Sequence, residues 1–247
     1  MTDETWVKRI EERIEQFSRD FRLVYSKTER ELAASFEIGC LHLLLNDYSN
    51  RAALSLENLN EGAFRYLTTP AGNPNNFSWI KVKMDQEEFQ VRQQVRICSH
   101  LDADIAFTPD IVVLHGSTVV NESKEMDFAN GKKRFFTVNS KAVIAAHECK
   151  SLVPFPELLI SFIGALIAAH AWFDAGGKVK CKDSGDHLAP SLFVGGSTNA
   201  LQRRMVKALE RVYPINIFTG LHDTASRFDE ESGDLRYLSF GASIISA

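Results

Sequence analysis

The spacing of apolar residues predicts that the chain begins with two helices. Over residues 4–25, apolar side chains recur every three or four positions and charged residues fill the opposite face, which is typical of an amphipathic helix. Residues 28–31 fit a capping box, in which the Thr28 hydroxyl and the Glu31 carboxylate satisfy free amides of a new helix. We therefore expect a second helix that runs to about Asn46.

Strands are predicted in the middle of the chain. Residues 46–76 are rich in Asn, Gly, Pro and Ser, and residues 121–140 are polar and turn-rich, so both segments are predicted to be loops. Alternating or continuous apolar residues between them indicate strands. The predicted strands are 77–84, 89–98, 110–116 and 142–150.

The last third of the chain alternates helix and strand. Pro156 suits the first turn of an apolar helix over 157–173. After a Gly/Lys loop, the pattern predicts a short strand, a capped amphipathic helix and another strand, at 191–196, 197–212 and 215–221. This alternation favours an α/β fold. We expect one domain over 1–247, with an N-terminal helix (1–27), a core (28–172) and a segment that completes the core (173–247).

Composition limits the classes of protein that fit. Hydrophobic residues make up 45% and charged residues 24% of the chain, as in ordinary globular proteins. The N-terminal segment lacks the apolar region of a secretory signal, so a cytoplasmic protein is expected. The longest apolar run, 158–173, is too short for a bilayer span and contains His170, so a buried helix is predicted instead. The four cysteines include no CxxC pair, which argues against a zinc ribbon.

A carboxylate and an ammonium group are predicted to share one face of a strand. Glu148 and Lys150 lie two residues apart, so on a strand both side chains project to the same side. The rest of that strand is apolar enough for the centre of a sheet, where charges are tolerated only when paired or bound to a metal ion. Asp110 stands at the start of another apolar strand, directly after Pro109.

Two acids and a lysine are the residue types that hydrolysis of a phosphodiester requires. Carboxylate oxygens hold a hard divalent cation, which polarises the phosphoryl oxygen and lowers the pKa of the attacking water. Asp110 and Glu148 can supply these oxygens. Lys150 can stabilise charge on the phosphorus or orient the water.

This arrangement resembles the PD-(D/E)xK, or restriction-endonuclease-like, nuclease superfamily. PD at 109–110 is followed by ExK at 148–150, at the end of an apolar strand and directly before a helix. The resemblance covers roughly residues 28–172 and implies a central mixed β-sheet flanked by α-helices. It also implies an Mg²⁺ site, in which Mn²⁺ can substitute, and cleavage of DNA or less often RNA. The long interval between the two motifs requires an insertion or hairpin around 121–140.

The resemblance also implies further ligands for the metal ion. Many members carry an acid on a preceding helix, and Glu37 is the best match because its neighbours on the helix face are apolar. The implied ligands are Asp110, Glu148, Glu37 and the backbone carbonyl of Cys149. Each side chain also has an ordinary explanation: a salt bridge for Glu148 and Lys150, a turn acid for Asp110, and a paired carboxylate for Glu37. His147 is predicted to pack on the opposite face.

A net charge of −4 gives no general attraction to nucleic acid, so a DNA substrate would need a local basic face. The helix predicted at 197–212 offers one, because three basic residues repeat every four positions and a fourth lies beside them. These residues, here called the basic stripe, are Arg203, Arg204, Lys207 and Arg211. Lys81 and Lys83 on a predicted strand are further candidates. A solvated helix face explains the stripe equally well.

The sequence therefore predicts an Mg²⁺-dependent endonuclease that acts on DNA and binds no membrane, and the resemblance implies a host-defence, restriction-like or repair setting. Two alternatives stay open. One is a non-catalytic nucleic-acid or protein interaction module with the same fold. The other is a latent effector that needs a nucleotide or a partner protein. DNA versus RNA, and a homodimer versus a higher homo-oligomer, are also left open.

Overall fold

A computed structural model describes residues 12, 32–69, 76–84, 87–122, 135–170, 187–222 and 237–238. The helices that it describes are α1 (Leu32–Ser49), α2 (Pro156–His170) and α3 (Ala200–Val212), and a 3₁₀ turn covers Ser140–Ala142. The strands are β1 (Ala53–Glu57), β2 (Trp79–Met84), β3 (Glu87–Gln93), β4 (Arg96–Cys98), β5 (Ala106–Phe107), β6 (Ile111–His115), β7 (Asn121–Glu122), β8 (Phe136–Asn139), β9 (Val143–Lys150), β10 (His187–Leu188), β11 (Ser191–Val194), β12 (Asn216–Phe218) and β13 (Tyr237–Leu238).

A mixed sheet forms the centre of the fold. Its strand order is β1-β2-β3-β6-β9-β11-β12. Neighbouring strands are antiparallel from β1 to β9, whereas β9, β11 and β12 are parallel. Parallel neighbours need a crossover connection, and α2 and α3 lie in the two connections here. The predicted α/β class, with a mixed sheet flanked by helices, is confirmed.

The centre of this sheet is apolar. The side chains of Ile111–Leu114 on β6 and of Val143–Ala146 on β9 are almost completely buried. Helix α1 covers the same sheet, and its Tyr48 ring lies edge-on to Phe89 of β3, with 5.1 Å between ring centroids. These apolar contacts hold the polar ends of β6 and β9 in fixed positions, because core side chains pack at crystal-like density.

A smaller sheet branches off the main one at Gln94. Its strand order is β5-β4-β8-β7. The predicted single strand over 89–98 is wrong, because Gln94 has a φ of 54° and breaks the extended chain into β3 and β4. Residues 121–140 are not all loop, since β7 and β8 pair antiparallel within them as the predicted hairpin requires.

One other segment was predicted wrongly. Residues 46–76 are not all loop, because β1 lies within them and pairs with β2, with Leu54 opposite Val82. The predicted strands at 110–116, 142–150, 191–196 and 215–221 are confirmed as β6, β9, β11 and β12.

The helix predictions are confirmed where the structure describes the chain. Helix α1 extends to Ser49 rather than Asn46, and α3 begins after a capping box formed by Asn199 and Gln202. The predicted helix at 4–25, apart from Glu12, and the capping box at 28–31 lie outside the described residues, as does the loop at 176–186. None of the helices described is both long and apolar enough to cross a membrane.

Two glycines provide a matched test of this packing. A Cβ on Gly116 would lie 2.6 Å from the Glu88 carbonyl oxygen of the adjacent strand, whereas a Cβ on Gly164 of α2 meets no atom within 4 Å. We expect Gly116→Ala to lower the free energy of unfolding by about 1–3 kcal/mol, as overpacking does. Gly164→Ala should raise it by about 0.4–1 kcal/mol, because alanine favours the helix. Urea denaturation measures both, and equal effects would contradict the packing of β3 against Gly116.

Candidate functional site

The ends of β6 and β9 bring two acids and a lysine together. The two strands pair antiparallel with Ile111 opposite His147, so the same register places Asp110 opposite Glu148. Lys150 lies two residues further along β9 and points to the same face. The side chains predicted to share one site therefore do lie together.

The ammonium group of Lys150 lies between the two carboxylates. Its Nζ is 2.8 Å from Glu148 Oε2 and 3.0 Å from Asp110 Oδ2. The backbone N–H of Cys149 also donates to Asp110 Oδ2, at 2.7 Å. Asp110 is almost fully buried, at 6% exposure, so these donors replace the water that its carboxylate has lost.

Helix α1 adds a third carboxylate, that of Glu37. The side-chain amide of Gln94 donates to Glu37 Oε2 at 3.2 Å and to Asp110 Oδ1 at 3.1 Å. Gln94 thus connects α1 to the start of β6, and the backbone break that places it is the one that separates β3 from β4. Glu37, Asp110 and Glu148 are called the acid cluster below.

The acid cluster would carry more negative charge than its surroundings neutralise if all three acids were ionised. Burial and the nearby Asp110 raise the pKa of Glu37 to about 8 and that of Glu148 to about 7. Burial alone would lower the pKa of Lys150, but the Glu148 and Asp110 carboxylates outweigh it and raise this pKa above its ordinary value. Lys150 therefore stays charged near neutral pH, whereas two of the three acids hold their protons more strongly than surface carboxyl groups do.

The backbone carbonyl of Cys149 lies on the same side of β9 as Asp110. The Cys149 N–H points toward β6, and the N–H and C=O of one strand residue point to the same side. If the register of β6 and β9 is continued, Pro109 lies opposite Cys149 and, as a proline, has no N–H to donate. Burial raises the pKa of the Cys149 thiol well above its ordinary value, so the sulfur keeps its proton. Cys149 can therefore offer a carbonyl oxygen, but not its sulfur, to the acid cluster.

These groups fit a hard divalent cation. Carboxylate and carbonyl oxygens are the donors that Mg²⁺ and Ca²⁺ prefer, and here a cationic group already bridges Glu148 and Asp110. In the part of the chain that the structure describes, no three His, Cys, Asp or Glu side chains converge on one metal position as they stand. The groups that would hold such an ion are Asp110, Glu148 and the Cys149 carbonyl, with Glu37 beside them.

The basic stripe lies on a helix that is tied to the site. Arg203, Arg204, Lys207 and Arg211 are all exposed on α3. Close to the N-terminus of α3, the side-chain amide of Gln202 donates a hydrogen bond to the Pro154 carbonyl, in the loop that follows Lys150. The first turns of α3 therefore lie next to the chain that leaves the acid cluster.

Lys81 and Lys83 are not brought to the acid cluster. They pair across β2 and β3 with Gln90 and Glu88, which precede Gln94 by four and six residues. At about 3.3 Å per residue they lie roughly 13 and 20 Å along the strand from the site end. Lys81 also forms a loose ion pair with Glu57, at 3.9 Å. His147 is completely buried, as its predicted position on the other face requires.

Sequence reasoning missed Gln94, Ser151 and His222. Gln94 lies within a predicted strand, and nothing in its neighbourhood marks a positive φ. Ser151 follows Lys150 directly, and its hydroxyl is 3.2 Å from Nε2 of His222. His222 reaches the site through the tertiary fold, so no spacing along the chain could reveal it.

Comparisons of the chain with models of protein families, with curated proteins and with solved structures give no match.

The raised carboxyl pKa values predict that the metal-free protein loses stability as the pH rises. The pKa of each group is higher in the folded protein, about 8 for Glu37 and 7 for Glu148, than the ordinary value of 4.5. Their contribution is therefore fully present below about pH 4.5 and is lost as the pH rises through 7 and 8. We expect the urea midpoint in EDTA to fall between pH 6 and pH 9.

Glu37→Gln should reduce this fall, because its amide stays neutral over the whole range. Glu61→Gln, at an exposed turn, is the matched control and should behave like the wild type. If the urea midpoint fell equally in wild type and in Glu37→Gln, the pKa of Glu37 would not be raised by its surroundings.

Proposed function

We propose that this protein is an Mg²⁺-dependent endonuclease that hydrolyses phosphodiester bonds of DNA. The observation that carries the proposal is the meeting of Asp110, Glu148 and Lys150 at the ends of two paired strands, with Glu37 beside them. A purely structural salt bridge needs one acid and one base. Here three buried or half-buried carboxyl groups face one ammonium, and the missing positive charge is what a divalent cation would supply.

The order of elements supports a restriction-endonuclease-like fold. Helix α1 with Glu37 precedes an antiparallel set of strands, β6 begins directly after PD, and β9 carries ExK. Helix α2 then returns the chain to β11, which is parallel to β9. This is the helix, strands, helix, strand order that the resemblance implies, and it places each motif at a strand end.

Each residue of the site has a chemical task in this proposal. Asp110, Glu148 and the Cys149 carbonyl would hold the cation, with Glu37 as a further ligand. When bound, the cation would polarise the phosphoryl oxygen and lower the pKa of water beside it. Lys150 keeps its proton near neutral pH, so its task is to donate hydrogen bonds to a phosphate oxygen and stabilise the charge that develops there.

A non-catalytic module is the second candidate, and one observation favours it. Lys150 already satisfies both carboxylates at 2.8 and 3.0 Å, which is how a closed structural ion pair looks. Calorimetric titration with Mg²⁺ or Mn²⁺ separates the two candidates. A nuclease should bind the ion and lose this binding in Asp110→Asn, whereas a non-catalytic module should bind no ion.

The nuclease proposal predicts loss of cleavage when the site is changed. Purified protein with Mg²⁺ should nick or degrade plasmid DNA, and EDTA should stop it. Glu148→Gln and Lys150→Ala should each lower the cleavage rate about 100-fold or more, because they remove an ion ligand and a stabiliser of the transition state.

The matched controls for these variants are Glu61→Gln and Lys141→Ala, which change exposed residues of the same types. Circular dichroism shows whether each variant is folded. Cleavage by folded Glu148→Gln or Lys150→Ala at the wild-type rate would exclude these residues from the chemistry.

The basic stripe predicts where DNA binds. In a Glu148→Gln background, which prevents cleavage, Arg204→Ala with Lys207→Ala should weaken binding of a fluorescent duplex. The plot of log affinity against log salt should become shallower by about 0.9 for each phosphate that the variant no longer neutralises. Lys83→Ala is the matched control and should leave both quantities unchanged, because Lys83 lies at the far end of β2. An equally large effect in the control would exclude α3 as the specific DNA-binding surface.

A further inference from the structure

His222 contacts residues that neighbour Lys150 and Glu37 in the chain, although it is far from both in sequence. Its backbone N–H donates to the Gly195 carbonyl at 2.9 Å, at the end of β11. Its ring nitrogen Nε2 hydrogen-bonds with Ser151 Oγ at 3.2 Å. Its ring also meets Phe36 of α1 edge-on, with centroids 5.4 Å apart and an interplanar angle of 82°. One residue therefore contacts three separate parts of the fold.

Each residue that His222 contacts is either next to a site residue in the sequence or hydrogen-bonded to one. Ser151 follows Lys150, and Phe36 precedes Glu37. The Gly195 N–H donates to the Lys150 carbonyl at 2.9 Å, so the backbone under His222 also holds the backbone of Lys150. Lys150 and Glu37 belong to different elements, β9 and α1. The interactions of His222 thus connect the two elements at the level of the site.

The chain leaves room for this ring at Gly195. A Cβ on Gly195 would overlap the imidazole of His222, so the ring rests directly on the glycine backbone. Gly220, with a φ of 73°, donates from its N–H to the Gly196 carbonyl at 2.8 Å and turns the chain so that His222 returns to β11. The placement of His222 therefore depends on two glycines as well as on its own hydrogen bond.

We propose that His222 is a positioning residue that keeps Lys150 and Glu37 in register with each other; its catalytic consequence rests on the proposed nuclease function. Hydrolysis requires the ammonium group and the acid cluster to be placed within fractions of an ångström of their productive positions. His222 does not need to touch the substrate for this role. Its removal should therefore slow the reaction without weakening the binding of DNA.

The test compares His222→Ala, His222→Gln and Ser151→Ala with the control His100→Ala, which changes an exposed histidine in a loop. For plasmid or duplex cleavage, His222→Ala should lower kcat about tenfold or more while KM stays within about twofold. His222→Gln should recover most of kcat, because its side-chain amide can again hydrogen-bond with Ser151. Ser151→Ala, the smaller change, should lower kcat in the same direction.

A second measurement does not depend on nuclease activity. Amide hydrogen exchange in the metal-free protein should quicken at Gly195 and Cys149 in His222→Ala by about tenfold, and stay unchanged in β2 and β3. If wild-type protein does not cleave DNA, the proposed function fails, and this exchange pattern alone decides whether His222 holds the end of β9. The proposed role would be overturned if His222→Ala had the wild-type kcat, or if its KM rose by the same factor by which kcat/KM fell. It would also be overturned if amide exchange at Gly195 were unchanged.

Discussion

The ammonium group of Lys150 between the carboxylates of Glu148 and Asp110 is the interaction on which the local structure depends. A buried charge is tolerated only when it is paired and hydrogen-bonded. The pairing here is incomplete, because Glu37 adds a third carboxyl group without adding a base. The negative charge that Lys150 does not neutralise is compensated by hydrogen bonds from the Gln94 amide and the Cys149 N–H, and by protons that Glu37 and Glu148 retain. Such an arrangement keeps three carboxyl groups close together, as the proposed cation site requires.

Several irregular features of the backbone lie around this site. Strand β3 of the main sheet ends just before Gln94, where a positive φ directs a buried side chain toward two carboxylates. The paired residues of β6 and β9 end at Ile111 and His147, one residue short of Asp110 and Glu148. The bare backbone of Gly195 leaves space for an imidazole. The positive φ of Gln94 persists because the surrounding packing imposes it, and the buried centre of the sheet provides that packing.

The sequence predicts the elements whose patterns are strong. Strands β6 and β9 are continuous apolar runs, and their register follows once Asp110 and Glu148 are placed at corresponding ends. Strand β1 is not predicted because it lies at the edge of the sheet, where its side chains are exposed or only partly buried. The sequence on either side of it is also rich in turn residues. Strand β1 is defined by its pairing with β2, which begins only at Trp79, so a local pattern does not reveal it.

Some residues of the candidate site can also be predicted from the sequence, and others cannot. Glu148 and Lys150 are recognisable because two charges two residues apart on an apolar strand are costly unless they are used together. Glu37 is recognisable from its apolar helical neighbours. Gln94 and His222 are not, because a glutamine within a strand and a histidine after a short strand are ordinary in sequence. Their positions arise from a backbone break and from a tertiary return of the chain, which local propensity does not encode.

The distribution of charge separates the two tasks of the proposed function. The chain as a whole has a net charge of −4, while the protons that Glu37 and Glu148 retain reduce the negative charge of the acid cluster near neutral pH. The basic stripe is exposed on α3, which is tied through Gln202 to the loop after Lys150, so the proposed function assigns the contact with the DNA backbone to this helix. In that proposal, Asp110 and Glu148 would hold the cation, which would supply positive charge beside the phosphate. Lys150, which lies between the two carboxylates, would donate hydrogen bonds to a phosphate oxygen. The observed ion pair therefore already brings together the groups to which the proposed function assigns the chemistry.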